Sequence, residues 1–584
     1  MGKGSKCWVG REALDAVRRV EDSRARGCER GVLSGRKEVK RLLRRDREMY
    51  WRQVAEELEG AAERGDVRGL FAGVGKLKEG KRGGASVVVG GGGRIVRGDA
   101  AMEVWKSRFA GVVGVGSDGK GAGKLPAALP YVADDGPPGY EEVRVALGKM
   151  RGSGAPGVDG LTAGLMRAGG ARVVWWLVRM FAWVWEKGEI PDEWRAGVVV
   201  PVFKKGDPRK VENYRGITLM VVAAKVLEKV ILRRVRMDRE KRCRETQAGF
   251  RAGRSCGEQV FVVRRLLEER AEWGLPVVAV ALDFASAYDT VDREALFAVL
   301  EAEGMGRATL AVVRALHTGT VATVRLGGKE SGEFSVERGV RQGSVLSPIL
   351  FVALMDWVLR EALDGLGTEV SVGGGCGLAD LDYADDVLLL TTSLQAAQRG
   401  VDAVAEVGKR VGLELNPNKT VWMARGVDDG VLMVAGRPVD SSPSLVYLGV
   451  DVGPDGGMAG ELSRHLTAAN RSFWGLRRLW RDRGVSVATK ARVYSAVVRG
   501  TLLYGAESWV LRREDERRVA VFDRSRLRWI AGIWRRDEVS NTGLLARVGL
   551  EGVENVIVRT TWRWLGHVLR MSEVRWPRRV LLWS

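Results

Sequence analysis

The chain has 584 residues, 45% of them hydrophobic, which is enough for two to four packed units with substantial cores. Lysine and arginine outnumber aspartate and glutamate by 94 to 73, so the net charge is +21 and the pI is about 10.0. This excess favours a polyanionic partner, above all nucleic acid, over a basic surface that is merely solvated.

The cysteine and histidine pattern excludes two common site types. The five cysteines and three histidines lack the paired spacing of a structural zinc site or of a disulfide framework. The first residues do not form the apolar segment of a signal peptide, and no window of about 18 apolar residues predicts a transmembrane helix. We therefore expect an intracellular protein that does not enter a membrane.

The first part of the chain is basic and helical in pattern. Residues 11–70 combine arginine and glutamate with apolar residues at helical spacing, which predicts a basic helical region. A short amphipathic helix is predicted at 101–112. The glycine-rich stretch 73–98 predicts turns, and the Gly-, Pro- and Asp-rich stretch 114–138 predicts a linker.

Strand and helix patterns alternate from Tyr140 onward. Helices are predicted at 141–150, 173–187, 221–236, 293–303, 309–317, 348–363 and 394–411. Strands are predicted at 197–203, 217–219, 277–282, 320–326, 332–336, 421–424 and 447–450, with a hairpin at 378–390. After about residue 453 the pattern is helical, which predicts an α+β protein in three parts: 1–139, 140–453 and 454–584.

The most informative feature is a pair of adjacent carboxylates, Asp385 and Asp386, in the apolar hairpin 381–390. Such a pair is costly, because like charges repel each other and charged groups resist desolvation. A divalent cation removes that cost. A third carboxylate, Asp283, ends the apolar run 277–282. Two strands that bring acids to one point predict a site for two Mg²⁺ ions, with Mn²⁺ as an alternative, and in-line phosphoryl transfer.

These segments resemble the catalytic motifs of reverse transcriptases, and Tyr-Ala-Asp-Asp at 383–386 is the form common in retroelements. The resemblance continues in the family's order through segments 213–219, 248–255, 282–292, 339–348, 412–420 and 447–449. Two further segments, 502–509 and 563–571, resemble the region after the polymerase in non-long-terminal-repeat retrotransposons of the RTE-like or related groups.

The resemblance implies a right-hand polymerase with fingers, an antiparallel palm sheet and a helical thumb, preceded here by a basic helical extension. It implies an RNA-directed DNA polymerase that transfers deoxynucleotides to a primer 3′-hydroxyl on an RNA template. The implied partners are the RNA template, the DNA primer or target and dNTPs, in a ribonucleoprotein of the cytoplasm and nucleus.

The resemblance also assigns roles to individual residues. It implies that Asp283, Asp385 and Asp386 hold the metal ions and that Lys419 protonates the leaving pyrophosphate, although Lys419 fits an ordinary surface lysine nearly as well. The residues expected to contact the incoming nucleotide are Lys204, Arg215, Phe284, Tyr288, Gln342 and Gly343. Those expected to contact nucleic acid are Arg251, Arg254, Tyr447 and Gly449.

Tyr288 distinguishes two kinds of polymerase. A bulky aromatic residue five positions after the first aspartate excludes the 2′-hydroxyl in reverse transcriptases. Viral RNA-dependent RNA polymerases usually place a second acid near this point, so Asp289 keeps that alternative open. We interpret Tyr288 as the sugar gate rather than a core residue, because the polar segment 289–292 predicts an exposed turn.

Ordinary local structure accounts for other residues in these motifs. Asp289 and Asp292 suit the beginning of a helix, and Ser347 with Pro348 is expected to cap and begin the next one. Two positions depart from the family's common form: Gly216 replaces a proline, and Ser344-Val345 replaces Cys-Pro. We expect Gly216 to loosen its turn.

Retrotransposons of this type usually begin with an endonuclease, and we expect this chain to lack one. Its first 110 residues resemble the basic segment between endonuclease and polymerase. A second hypothesis is therefore a catalytically weak or inactive nucleic-acid-binding remnant of such an element. The three intact aspartates favour the polymerase.

Overall fold

The computed structural model describes residues 8–64, 66, 69, 72–75, 87–90, 93–114, 129–372 and 376–582. The chain forms two compact units. The helical unit comprises residues 1–82 and 459–564, and the mixed unit comprises residues 83–458 and 565–584. The predicted linker at 114–138 falls largely outside the described residues, and the predicted domain limits at 139 and 453 stay a prediction.

The predicted basic helices at the beginning and the end of the chain are present. The helices that begin in the helical unit are Arg11–Ala25, Glu29–Glu63, Ala459–Gly475, Arg477–Arg481, Val487–Val493, Gly500–Leu502, Arg513–Ala531, Asn541–Val548 and Val553–Leu569. The described part of this unit also has a π-helical turn at Tyr494–Arg499 and 3₁₀ turns at Ala506–Ser508 and Arg535–Asp537.

The mixed unit combines helices with two main sheets. Its helices are Asp99–Val113, Tyr140–Gly148, Ala163–Ala168, Gly170–Lys187, Asp192–Arg195, Val222–Arg242, Cys256–Glu272, Ala287–Thr290, Arg293–Ala302, Arg307–His317, Ser347–Leu363, Leu394–Arg410 and Trp576–Leu582, with a 3₁₀ turn at Val211–Asn213. This content confirms the predicted α+β class.

The first main sheet has four strands, all antiparallel, in the spatial order Asp380–Tyr383, Asp386–Thr391, Val277–Leu282 and Val421–Arg425. Val277–Leu282 lies inside it and is apolar on both faces. Val278 and Val280 pack into one core cluster, whereas Val277 and Ala279 pack into another on the opposite face. Burial on both faces explains why this strand has no alternating polar residues.

The second main sheet has five strands: Ala196–Phe203, Tyr214–Leu219, Thr320–Leu326, Lys329–Glu330 and Phe334–Val336. Ala196–Phe203 pairs in parallel with Thr320–Leu326, and the other pairings are antiparallel. Four small hairpins pair Val87–Val89 with Ile95–Arg97, Val370–Val372 with Cys376–Leu378, Leu432–Val434 with Arg437–Val439, and Leu445–Tyr447 with Val450–Val452.

Two local predictions are wrong. The strand predicted at 447–450 is the turn between two short strands, because Leu448 and Gly449 both have positive φ angles, of 48° and 86°. Ser347 does not cap its helix: the cap residue is Leu346, and the hydroxyl of Ser344 accepts the backbone N–H groups of Leu346 and Ser347. The hydroxyl two to three residues upstream therefore takes the capping role.

Candidate active site

The pairing register of the four-stranded sheet brings the three predicted metal ligands together. Val387 lies opposite Leu282, so extending the register by one residue sets Asp386 opposite Asp283. Directly opposed residues in antiparallel strands have Cα atoms about 4.5–5.5 Å apart. Asp385 precedes Asp386 in the hairpin turn, and all three aspartates line one cleft of about 730 Å³.

Burial and neighbouring negative charge raise the pKa values of Asp385 and Asp386. Burial raises the pKa of Asp385, and the negative charge of Asp283 adds to the rise. Burial likewise raises the pKa of Asp386, with further contributions from Asp385 and Asp283. The cleft therefore concentrates negative charge in a partly desolvated place, where a bound cation is stabilised.

Lys419 already balances part of this charge. Its Nζ lies 3.0 Å from Asp283 Oδ2, although the lysine side chain remains 59% exposed. Across the described residues, no group of three or more His, Cys, Asp or Glu side chains is close enough to hold a metal ion as it stands. The donor chemistry nevertheless suits Mg²⁺, which prefers carboxylate oxygens, and Lys419 occupies an oxygen that a metal ion would take.

Other cationic side chains face the carboxylates. Lys204 and Arg215 line the same cleft, and their positive charges lower the pKa values of Asp385 and Asp386 against the effect of burial. Burial, followed by the charges of Arg215 and Lys419, lowers the pKa of Lys204. The cleft thus holds an acidic and a basic set of side chains, which is the arrangement that a metal-bound polyphosphate needs.

Gln342 and Gly343 lie against the five-stranded sheet at the cleft. The N–H of Thr218 donates to Gln342 O at 2.7 Å, and a Cβ on Gly343 would lie 2.3 Å from Thr218 O. With its φ of 127°, this position requires glycine. The Gln342 amide donates from Nε2 to Asp289 at 2.9 Å, so its orientation is set by that carboxylate.

Tyr288 borders the cleft and also packs against the core. Its ring stacks on Phe351 with centroids 4.2 Å apart, and its buried hydroxyl has no hydrogen-bond partner among the described residues. Burial raises the pKa of this hydroxyl, and the charge of Asp385 adds to the rise. Tyr288 therefore lies beside the carboxylates, where a sugar gate is expected, and its ring is also packed on the core residue Phe351.

The exposed turn predicted at 289–292 is wrong. Val291 and Asp292 are buried, because the backbone N–H groups of Gly339 and Val340 donate to the carbonyls of Val291 and Tyr288. Asp292 does cap the following helix, accepting the N–H of Ala295 at 2.7 Å. Phe284, by contrast, borders the cleft while its side chain is only 6% exposed and belongs to the core.

The arginines expected to bind template phosphates are engaged within the protein. Arg251 pairs with Glu240 and donates to two backbone carbonyls, which leaves its side chain 6% exposed. Arg254 pairs with Glu245 through both terminal nitrogens. Each guanidinium group therefore already has an acidic partner, which short motifs do not reveal, and the expected template contacts of Arg251 and Arg254 stay a prediction.

Tyr447 is buried, and its hydroxyl donates to Leu381 O at 3.0 Å, beneath the acidic hairpin. Its side chain thus supports the acidic hairpin through this hydrogen bond. The primer contact expected of Gly449 would then come from the turn at residues 448–449. Sequence reasoning also missed Arg108 and Phe109, which line the cleft from the helix Asp99–Val113. The helix itself was predicted, and the stacking of Phe109 on Trp105 holds it in place, but its position beside the cleft was not predicted.

Comparison with known proteins agrees with this geometry. Residues 202–452 match the family model for reverse transcriptase (RNA-dependent DNA polymerase). A 115 kDa protein of the type-1 retrotransposable element R1DM of Drosophila melanogaster is 30% identical over 65% of this chain and 37% of its own length. The RNA-directed DNA polymerase of the mobile element jockey from Drosophila funebris is 26% identical over 67% of this chain and 44% of its own.

The chain thus spans less than half the length of these two relatives. Among solved structures, a Candida albicans telomerase in complex with a telomeric RNA fragment is 13% identical, covering 70% of this chain and 69% of that one. Its TM-score is 0.34. The family match, the relatives and the carboxylate geometry together identify residues 202–452 as a reverse transcriptase domain related to those of non-long-terminal-repeat retrotransposons.

Proposed function

We propose that this chain is an RNA-directed DNA polymerase, which adds deoxynucleotides to a primer 3′-hydroxyl on an RNA template. The observation that carries the proposal is the convergence of Asp283, Asp385 and Asp386 from two strands of one sheet. Lys204 and Arg215 line the same cleft. Acidic groups for metal ions beside basic groups for phosphates are the parts that nucleotidyl transfer requires.

In this proposal the three aspartates hold two Mg²⁺ or Mn²⁺ ions. Bound there, the ions would supply charge neutralisation at the reacting phosphate. Lys204 and Arg215 bind the triphosphate and orient it. Lys419 leaves Asp283 for the leaving pyrophosphate, to which its ammonium group can pass a proton.

The remaining cleft residues select the nucleotide. Tyr288 occupies the space of a 2′-hydroxyl, and Gln342 with Gly343 faces the incoming nucleotide and the template base. The Asp289–Gln342 hydrogen bond supports a positioning role for Asp289, rather than the sugar-binding role it would have in an RNA polymerase. The proposed enzyme therefore uses dNTPs.

The charge distribution supports a nucleic-acid partner. The two segments of the helical unit hold 43 lysines and arginines against 25 acidic residues, which is +18 of the chain's +21. None of the described helices combines the length and the apolar character needed to cross a membrane. We propose RNA template and DNA primer as partners, in a ribonucleoprotein of the cytoplasm and nucleus.

Primer extension on poly(rA)/oligo(dT) with Mg²⁺ and dTTP tests this function. Wild-type protein should extend the primer, whereas Asp385→Asn should abolish extension and leave template–primer affinity nearly unchanged. Asp428→Asn removes the same charge at an exposed position away from the cleft and should extend like wild type. A wild-type protein that binds but never extends would support the inactive remnant instead.

A further inference from the structure

The helix Asp99–Val113 lies outside the matched reverse transcriptase segment, yet it forms part of the cleft. Four of its residues line the same space as the catalytic aspartates: Arg108, Phe109, Val112 and Val113. The cleft is therefore built from more of the chain than residues 202–452. This raises the question of what the helix contributes there.

Aromatic packing holds the helix on the five-stranded sheet. Trp105 is fully buried and meets Tyr214 edge-on with centroids 4.8 Å apart, while Phe109 stacks on Trp105 at 5.9 Å. A Cβ on Gly216 would lie 2.7 Å from the Phe109 ring and equally close to Val199. The glycine that replaces the family's proline thus makes room for Phe109, rather than loosening a turn.

The end of the helix is joined to a second cleft segment. Val113 O accepts the backbone N–H groups of Glu337 and Arg338 at 2.9 and 3.2 Å, and Arg338 Nε donates to Val112 O at 2.8 Å. The next residues are the 339–343 segment that carries Gln342. The helix therefore contacts both the strand Tyr214–Leu219 and the segment that leads into residues 339–343. These contacts fix its orientation relative to the cleft.

Arg108 points into this space without a partner of its own. It is half-buried, and it makes no ion pair or hydrogen bond with any residue in the described part of the chain. Its positive charge helps to lower the pKa of Asp289 against the effect of burial, and Asp289 accepts the hydrogen bond from Gln342. Arg108 therefore lines the cleft in the neighbourhood of the Asp289–Gln342 pair.

We propose that Arg108 binds a backbone phosphate of the template strand, beside the base that pairs with the incoming nucleotide. A half-buried guanidinium that makes no ion pair is stabilised by an anion, and phosphate is the anion that nucleic acid offers. The inference rests on the proposed function, since it takes the ligand of the cleft to be a template. The incoming triphosphate is the other source of phosphate, but in the proposed function Lys204 and Arg215 already bind it beside the metal ions.

The test measures binding without turnover, so that it remains informative if the protein does not polymerise. Full-length wild type, Arg108→Ala and Arg108→Lys would be titrated into a labelled DNA primer annealed to RNA with a 5′ template overhang. Fluorescence anisotropy from about 50 to 200 mM KCl gives the slope of log K against log salt. Lys106→Ala is the matched control, because Lys106 lies on the same helix but does not line the cleft.

Arg108→Ala should weaken binding and reduce the slope by about 0.7–0.9, the value for one lost phosphate contact. Arg108→Lys and Lys106→Ala should keep the wild-type slope, and a blunt duplex should show no difference among the variants. In a parallel extension assay, KM for dTTP should not change. An unchanged slope for Arg108→Ala would overturn the proposal, and an unchanged slope with a raised KM would assign the phosphate to the nucleotide instead.

Discussion

A buried ion cluster beneath the acidic hairpin, residues 380–391, allows a quantitative test of what stabilises the proposed site. Arg244 Nη1 donates to Asp380 at 2.8 Å and to Asp382 at 3.3 Å, and Nη2 donates to the second oxygen of Asp380. Both carboxylates are fully buried on the strand that leads into Asp385. One arginine thus pairs with two acids in the edge strand of the four-stranded sheet.

Replacing Arg244 with methionine keeps most of the side-chain volume and removes the cation. Breaking a buried ion pair from one side costs about 3–5 kcal/mol, because the remaining charge is left unpaired in a desolvated place. The Asp380–Asp386 turn should open more easily by that amount. Because this turn carries Asp385 and Asp386, the proposed metal ligands, primer extension should fall as well.

Hydrogen exchange of full-length protein measures the opening free energy locally, in peptides that cover the hairpin residues 380–391. Arg425→Met is the matched control, because the Arg425 guanidinium donates to the carbonyl of Arg270 rather than to an acid. We expect Arg425→Met to lower the opening free energy by about 1 kcal/mol, the ordinary value of one hydrogen bond. A loss below about 1 kcal/mol for Arg244→Met would refute the assignment of the cluster as the support of the hairpin.

Replacing an acid of this cluster should stabilise the hairpin, whereas replacing Arg244 should destabilise it. Burial, and then the charge of Asp380, raises the pKa of Asp382 well above its usual value. A raised pKa in the folded state means that Asp382 favours folding below the unfolded pKa of about 3.9 and loses that contribution as the pH rises. Asp382→Asn should therefore stabilise the hairpin at pH 7, and this gain should vanish below about pH 4.

The remaining predictions concern the gate, the docked helix and the helical unit. Tyr288→Ala should raise ribonucleotide use relative to dNTP use in single-nucleotide extension. Tyr288→Phe should keep the wild-type preference for dNTPs, because the tyrosine hydroxyl has no hydrogen-bond partner among the described residues. The same preference in wild type and both variants would assign the ring to the core. Gly216→Ala should cost about 1–3 kcal/mol in urea unfolding, because the new methyl overlaps Phe109, and should weaken template binding; unchanged stability would contradict that contact. Glu59 accepts hydrogen bonds from Ser486 and Thr489, which outweigh its desolvation and lower its pKa. The melting temperature of wild type should therefore exceed that of Glu59→Gln above pH 4.5, and the difference should shrink as the pH falls; a constant difference from pH 3 to 7 would show that the charge is irrelevant.

Local apolar patterning was enough to predict the strands that lead to the three aspartates. The strand Val277–Leu282 has the predicted limits, because an uninterrupted apolar run buried on both faces has few alternative structures. The neighbouring helix Cys256–Glu272 was missed. Arg264 and Glu269 are buried on it, so its buried positions do not follow the apolar pattern from which sequence reasoning works.

By itself, the sequence determined the motif order, the α+β class and the three aspartates, because each depends on residues that are close along the chain. Only the tertiary structure decided which charges remain available. Glu240 and Glu245 neutralise Arg251 and Arg254, whereas Arg108, from a helix outside the family motifs, is left unpaired in the cleft. Whether a cation meets an acid or a ligand depends on contacts between distant segments, and short motifs carry no information about those contacts.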